Sequence, residues 1–83
     1  MLPLDEISIR THDLIYPKII KELDKLMGKN NYQINSEIYL LYCHYTVKWK
    51  DYFFRCSFAC LGELNIDPWI DSIKNHVGFR SNS

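Results

Sequence analysis

The chain has 83 residues, of which 47% are apolar and 14% aromatic, and its ten basic and ten acidic side chains cancel. A chain this short buries only about 60–65% of its unfolded surface, so its apolar residues make one core and a second domain is excluded. With no net charge there is no overall field to attract a phosphate polymer or to imitate one, which weighs against a nonspecific nucleic-acid binder and against an acidic mimic.

The opening residues Met1-Leu2-Pro3-Leu4-Asp5-Glu6 have neither the basic nor the apolar region of a signal peptide. Residues 1–12 carry two patterns. Glu6-Ile7-Ser8-Ile9-Arg10 alternates like an edge strand, whereas Pro3 followed by Asp5 and Glu6 resembles a helix first turn, and the balance favours helix. From Asp13 the apolar residues Tyr16, Ile19, Ile20, Leu23, Leu26 and Met27 recur at helical spacing, with lysines elsewhere around the wheel. Pro17 is expected in or near the first turn of this amphipathic helix, with a kink there if helix extends upstream. Gly28, before Lys29-Asn30-Asn31, is the expected stop.

The middle of the chain predicts sheet. His44 to Lys50 alternates polar and apolar, and Tyr52 to Cys60 resumes the alternation on even positions. Pairing Trp49 with Tyr52, Val47 with Phe54, Tyr45 with Cys56, Cys43 with Phe58 and Leu41 with Cys60 puts every core-type residue on one face. A slip of one residue would separate them, so burial fixes the register. The turn at Lys50-Asp51 lacks the Asn-Gly signature, and a four-residue loop keeps the same register. On the opposite face, Lys48, Phe53, Thr46, Arg55, His44 and Ser57 should be solvated near the turn. Tyr42, Ala59, Leu40, Leu61 and Ile38 should be covered at the far end. Tyr32-Gln33-Ile34 offers a third strand.

Asp67-Pro68-Trp69 reads as a capping carboxylate followed by proline at the first helical position, with Trp69, Ile70, Ile73 and Val77 on one face and Gly78 as the end. Arg80 to Ser83 reads as a frayed tail. The expected fold is α+β: an N-terminal helix, an antiparallel β-hairpin or three-stranded sheet, and a C-terminal helix, forming one domain over residues 1–83.

The chemistry-bearing residues form no catalytic pattern. Cys43, Cys56 and Cys60 share the inferred core face, where thiolates and a histidine could hold zinc, but the CxxxC spacing lies on a strand and free cysteine packs readily in cores. An odd number of cysteines without an export signal reads as reduced thiols. His12, His44 and His76 are scattered, no nucleophile elbow is present, and the isolated glycines at 28, 62 and 78 make no phosphate loop. The stretch 38–47 is far short of the roughly 20 apolar residues of a membrane helix. The expectation is a cytoplasmic protein that is not an enzyme, with no metal, no cofactor and no membrane association.

What remains is a binding role. Exposed aromatics and arginine supply most interface hot spots, which singles out Phe53, Arg55, Lys48, Tyr42, Trp49 and Lys50. The leading expectation is a stand-alone inhibitor or immunity-type protein, such as a phage or mobile-element anti-defence protein of the anti-CRISPR kind, that occupies a surface of a larger protein or ribonucleoprotein. A core this small supplies only about 3–5 kcal/mol, so a homodimer would also add useful burial. The alternative is a nucleic-acid-binding module in which bases stack on the basic, aromatic hairpin face.

Overall fold

The computed structural model describes residues 4–81. They form helix α1 (Leu4–Met27), strands β1 (Gln33–Tyr39), β2 (Tyr42–Trp49) and β3 (Tyr52–Ala59), and helix α2 (Asp67–Ser81). The strands make one antiparallel sheet in the order β1-β2-β3, so the α+β expectation holds with three strands. Among the described residues no helix is long and apolar enough to cross a membrane.

Helix α1 buries Ser8, Thr11, Ile15, Ile19, Leu23 and Met27, a stripe at three- and four-residue spacing. It begins well before Asp13, and Pro17 lies inside it, not in its first turn. The proline ring removes the partner of the Asp13 carbonyl. Both residues lie on the exposed side, where water can take that partner's place. Gly28 ends the helix as expected, at φ 88°, and Asn31 Nδ2 donates to the Met27 carbonyl at 2.9 Å.

The β2–β3 register is the one the burial pattern demands, from Trp49 opposite Tyr52 to Tyr42 opposite Ala59. The Cys60 amide extends that ladder by donating to the Leu41 carbonyl at 2.7 Å. The loop is the two-residue Lys50-Asp51, with Lys50 at φ 55°. The preceding hairpin departs from expectation. The chain turns at Leu40-Leu41, where Leu40 adopts φ 52°, so β1 and β2 are separate strands. That turn reverses the parity, and Ile38 pairs with Cys43 on the helix-facing side instead of joining the outer face.

Both helices lie against the same face of the sheet. Helix α1 packs on β1, β2 and α2. In α2, Trp69 lies against Tyr45 and Phe58, and His76 meets the Tyr52 and Phe54 rings edge-on. The core between the layers is built from Ile15, Ile19, Leu23, Tyr45, Val47, Phe58, Ile70 and Ile73 with their neighbours. The capping of α2 starts earlier than Asp67: the Ile70 amide donates to the Ile66 carbonyl at 3.0 Å, and Asn65 Oδ1 accepts from the Asp67 amide. Helix α2 also continues through Gly78 to Ser81, so Gly78 is not its stop, and Arg80 and Ser81 are helical.

Candidate functional site

Because both helices occupy one side, the other side of the sheet is bare. Strand alternation directs Gln33, Asn35, Glu37 and Tyr39 from β1, Tyr42, His44, Thr46 and Lys48 from β2, and Phe53, Arg55, Ser57 and Ala59 from β3 onto it. The expectation that the far end of this face is covered is overturned. Tyr39 and Tyr42 are about half exposed, and Leu40 and Leu61, at 53% and 75%, open that end to solvent. No element of the described chain crosses the sheet on that side.

Two groups organise the face. At the β1–β2 end, the His44 ring stacks with Tyr39 and Tyr42, with centroids 5.2 and 5.9 Å apart, and His44 Nδ1 lies 2.5 Å from Ser57 Oγ. Among the described residues His44 Nε2 is buried there without a hydrogen-bond partner. At the β2–β3 end, Lys48 Nζ lies 5.8 Å from the centroid of Phe53, whose side chain is 60% exposed. Between them a shallow groove of about 420 Å³ is lined largely by Asn35, Glu37, Tyr39, His44, Thr46, Arg55 and Ser57. It offers donors, acceptors and one charge of each sign, with aromatic walls.

Of the residues singled out from sequence, the structure brings Tyr42, Lys48, Phe53 and Arg55 together on this face. Lys50 sits in the loop, its Nζ 4.5 Å from the Trp49 ring. Trp49 points the other way and is 6% exposed, so it belongs to the core and not to this surface. Sequence reasoning passed over Tyr39 and expected Leu40 and Leu61 to be covered. The exposure of Tyr39 and Leu40 depends on the turn at Leu40-Leu41, which carries no glycine, proline, asparagine or aspartate to announce it, whereas Leu61 lies in the turn closed by the Gly62 amide on the Ala59 carbonyl.

A second cluster lies inside the core. Tyr45 Oη and His12 Nδ1 share a hydrogen bond of 2.7 Å, Cys43 Sγ donates to the Ser8 carbonyl at 3.4 Å and lies 4.0 Å from Cys60 Sγ, and the Ser8 hydroxyl donates to the Leu40 carbonyl. Chemically this cluster is quiet. Burial, reinforced by the neighbouring Cys60, pushes the Cys43 thiol up to about 11, and burial raises Cys56 as well. A protonated thiol with no solvent access is a poor nucleophile and a poor metal ligand. Among the described residues no three histidine, cysteine, aspartate or glutamate side chains converge as a metal-binding set.

No family model matches the sequence, and no curated protein or solved structure matches it either. The functional reading therefore rests on the geometry of the open face.

Proposed function

We propose that this chain is a small binding protein that lays the outer face of its sheet onto a larger protein, in the manner of an inhibitor or immunity protein. A phage or mobile-element anti-defence protein is the specific form of that reading. The observation that supports it is the bare sheet face carrying Tyr39, Tyr42 and Phe53, each about half exposed or more, beside Leu40 and Leu61. Contiguous exposed apolar surface rimmed by polar groups marks interaction sites, and aromatic side chains with arginine dominate their energetics. The mixed lining of Glu37, Arg55, Asn35 and Thr46 suits a protein surface, where donors and acceptors of both signs must be matched.

Nucleic-acid binding ranks second on the same face. It draws on Lys48, Arg55 and Phe53, but Glu37 opposes the two cations, and the Tyr39 and Tyr42 rings are already stacked on His44. A tagged chain recovered from cells, with and without nuclease, separates the two. The protein-binding reading expects a stoichiometric partner that survives nuclease and is lost from a variant combining Lys48→Glu, Phe53→Ala and Arg55→Glu. Partners that vanish on nuclease treatment would transfer the face to nucleic acid. Undiminished capture by the variant would rule this face out.

A further inference from the structure

We infer that β1 is a dimerisation edge, along which two copies of the chain pair antiparallel about a two-fold axis at Ser36 to make one continuous sheet of double width. Strand β1 is an outside strand of the sheet. Tyr39 and Tyr42 flank a two-residue loop, so they exchange backbone hydrogen bonds, and so do the odd-numbered residues of β1 behind Tyr39 with their β2 partners. The bond from the Cys60 amide to the Leu41 carbonyl has the phase this requires on the other side of β2. It follows that Ile34, Ser36 and Ile38 direct their N–H and C=O groups outward.

This edge lacks the usual protections. It has no proline, lysine or arginine, and its register with β2 runs without a bulge from Gln33 to Tyr39. It is also complementary to itself. With Ser36 opposite Ser36 of a second copy, Ile34 meets Ile38, Asn35 meets Glu37 and Gln33 meets Tyr39, so the sole charge of the strand faces an amide and no like charges meet. The same register sets the outward-directed residues opposite one another, as narrow antiparallel pairs need. The core is incomplete on this side: Ile34 and Ile38 are half-buried, whereas Cys43, Tyr45, Val47 and Trp49 beside them in β2 are buried. The isoleucines of a second β1 would extend the apolar layer past the edge.

The β3 edge is the weaker template. Of its two longest self-pairings, about Arg55 and about Cys56, the first sets guanidinium against guanidinium. The β1 pairing does not rest on the reading of the outer face, which it leaves open and presents twice.

The test is sedimentation of the full chain. Pairing along one strand lies at the small end of interface sizes, so concentrations from about 1 to 500 µM are needed. The expected result is concentration-dependent assembly from 9.9 kDa to twice that mass. Ser36→Pro removes an outward N–H while sparing the β1–β2 ladder, and should give a monomer with an unchanged circular dichroism spectrum. Should that variant misfold, the exposed Asn35 decides the matter. Asn35→Glu places two like-charge pairs across the seam and should weaken the dimer, and Asn35→Lys should tighten it, each on the order of two- to thirtyfold. A chain that stays monomeric throughout overturns the inference. So does a dimer indifferent to the Asn35 charge, and one abolished by Ser57→Pro would belong to β3.

Discussion

Leu40 and Lys50 hold the same position in successive hairpins: each opens a two-residue loop, follows an aromatic residue and precedes Tyr42 or Tyr52 by two, with φ of 52° and 55°. A side chain in the left-handed region costs about 1–2 kcal/mol, which glycine avoids at some expense in chain entropy. Lys50→Gly should therefore raise stability by about 0.5–1 kcal/mol, less the contact of its ammonium with Trp49. Leu40→Gly should gain less, because half of that side chain is covered. Urea midpoints at unchanged slope would check both, and a loss of stability in Lys50→Gly would contradict the strained turn.

Gly28 and Gly78 should respond oppositely to alanine. At Gly28 the backbone has φ 88°, and a Cβ would lie 2.7 Å from the Asn31 amide nitrogen that caps the Met27 carbonyl. Gly28→Ala should cost about 1–2 kcal/mol. At Gly78 the helix is regular and a Cβ meets nothing within 4 Å. Gly78→Ala should stabilise by about 0.5–1 kcal/mol. For a domain of this size each kcal/mol moves the thermal midpoint by roughly 4–8 °C, so the two melts should shift in opposite directions.

The same positions explain how far the fold could be read from the chain. The β2–β3 register was legible because the apolar alternation on both sides of the turn holds for a two- or a four-residue loop, and a one-residue slip exposes Phe54 and Phe58. The β1–β2 turn was not, because Leu40-Leu41 is apolar and a left-handed leucine has no sequence signature. From that one omission followed the wrong face for Ile38 and the expected cover over Leu40. Pro17 and Gly78 misled for a shared reason: each sits on the exposed side of a helix, where packing of the buried stripe outweighs a missing bond or a flexible residue. Four of the six residues singled out from sequence do lie on the open face. Trp49 fails by parity, since it follows Lys48 in the same strand.

Tyr45 joins sheet to both helices, its ring against Trp69 of α2 and its hydroxyl against His12 of α1. Tyr45→Phe keeps the ring and leaves His12 Nδ1 without its partner in a half-buried site. The cost should be about 1–2 kcal/mol. In a double-mutant cycle with His12→Ala, most of that cost should disappear, a coupling of about 1 kcal/mol. Additive losses would mean that the hydroxyl acts on something other than His12.

Cys43 makes stability depend on alkaline pH. Burial, then the adjacent Cys60, raise its thiol from an ordinary 9.0 to about 11. The unfolded chain gives up this proton first, so the contribution is fully present below about pH 9 and is lost as the pH climbs toward 11. Its size is at most roughly 2–3 kcal/mol. Burial also raises Tyr45 and Tyr32, and they act in the same direction at higher pH. Cys43→Ala should be less stable than the parent at pH 8 because it loses packing, and the gap should narrow by about 1 kcal/mol or more at pH 10.5. A gap that stays constant would mean that Cys43 ionises alike in both states. Alkylation with iodoacetamide offers an independent check at pH 8, where Cys43, buried and protonated, should be the last of the three thiols to react. Labelling of Cys43 as fast as Cys60 would show that α1 lifts readily from the sheet above it, and that the thiol is not held in the core that its raised pKa requires.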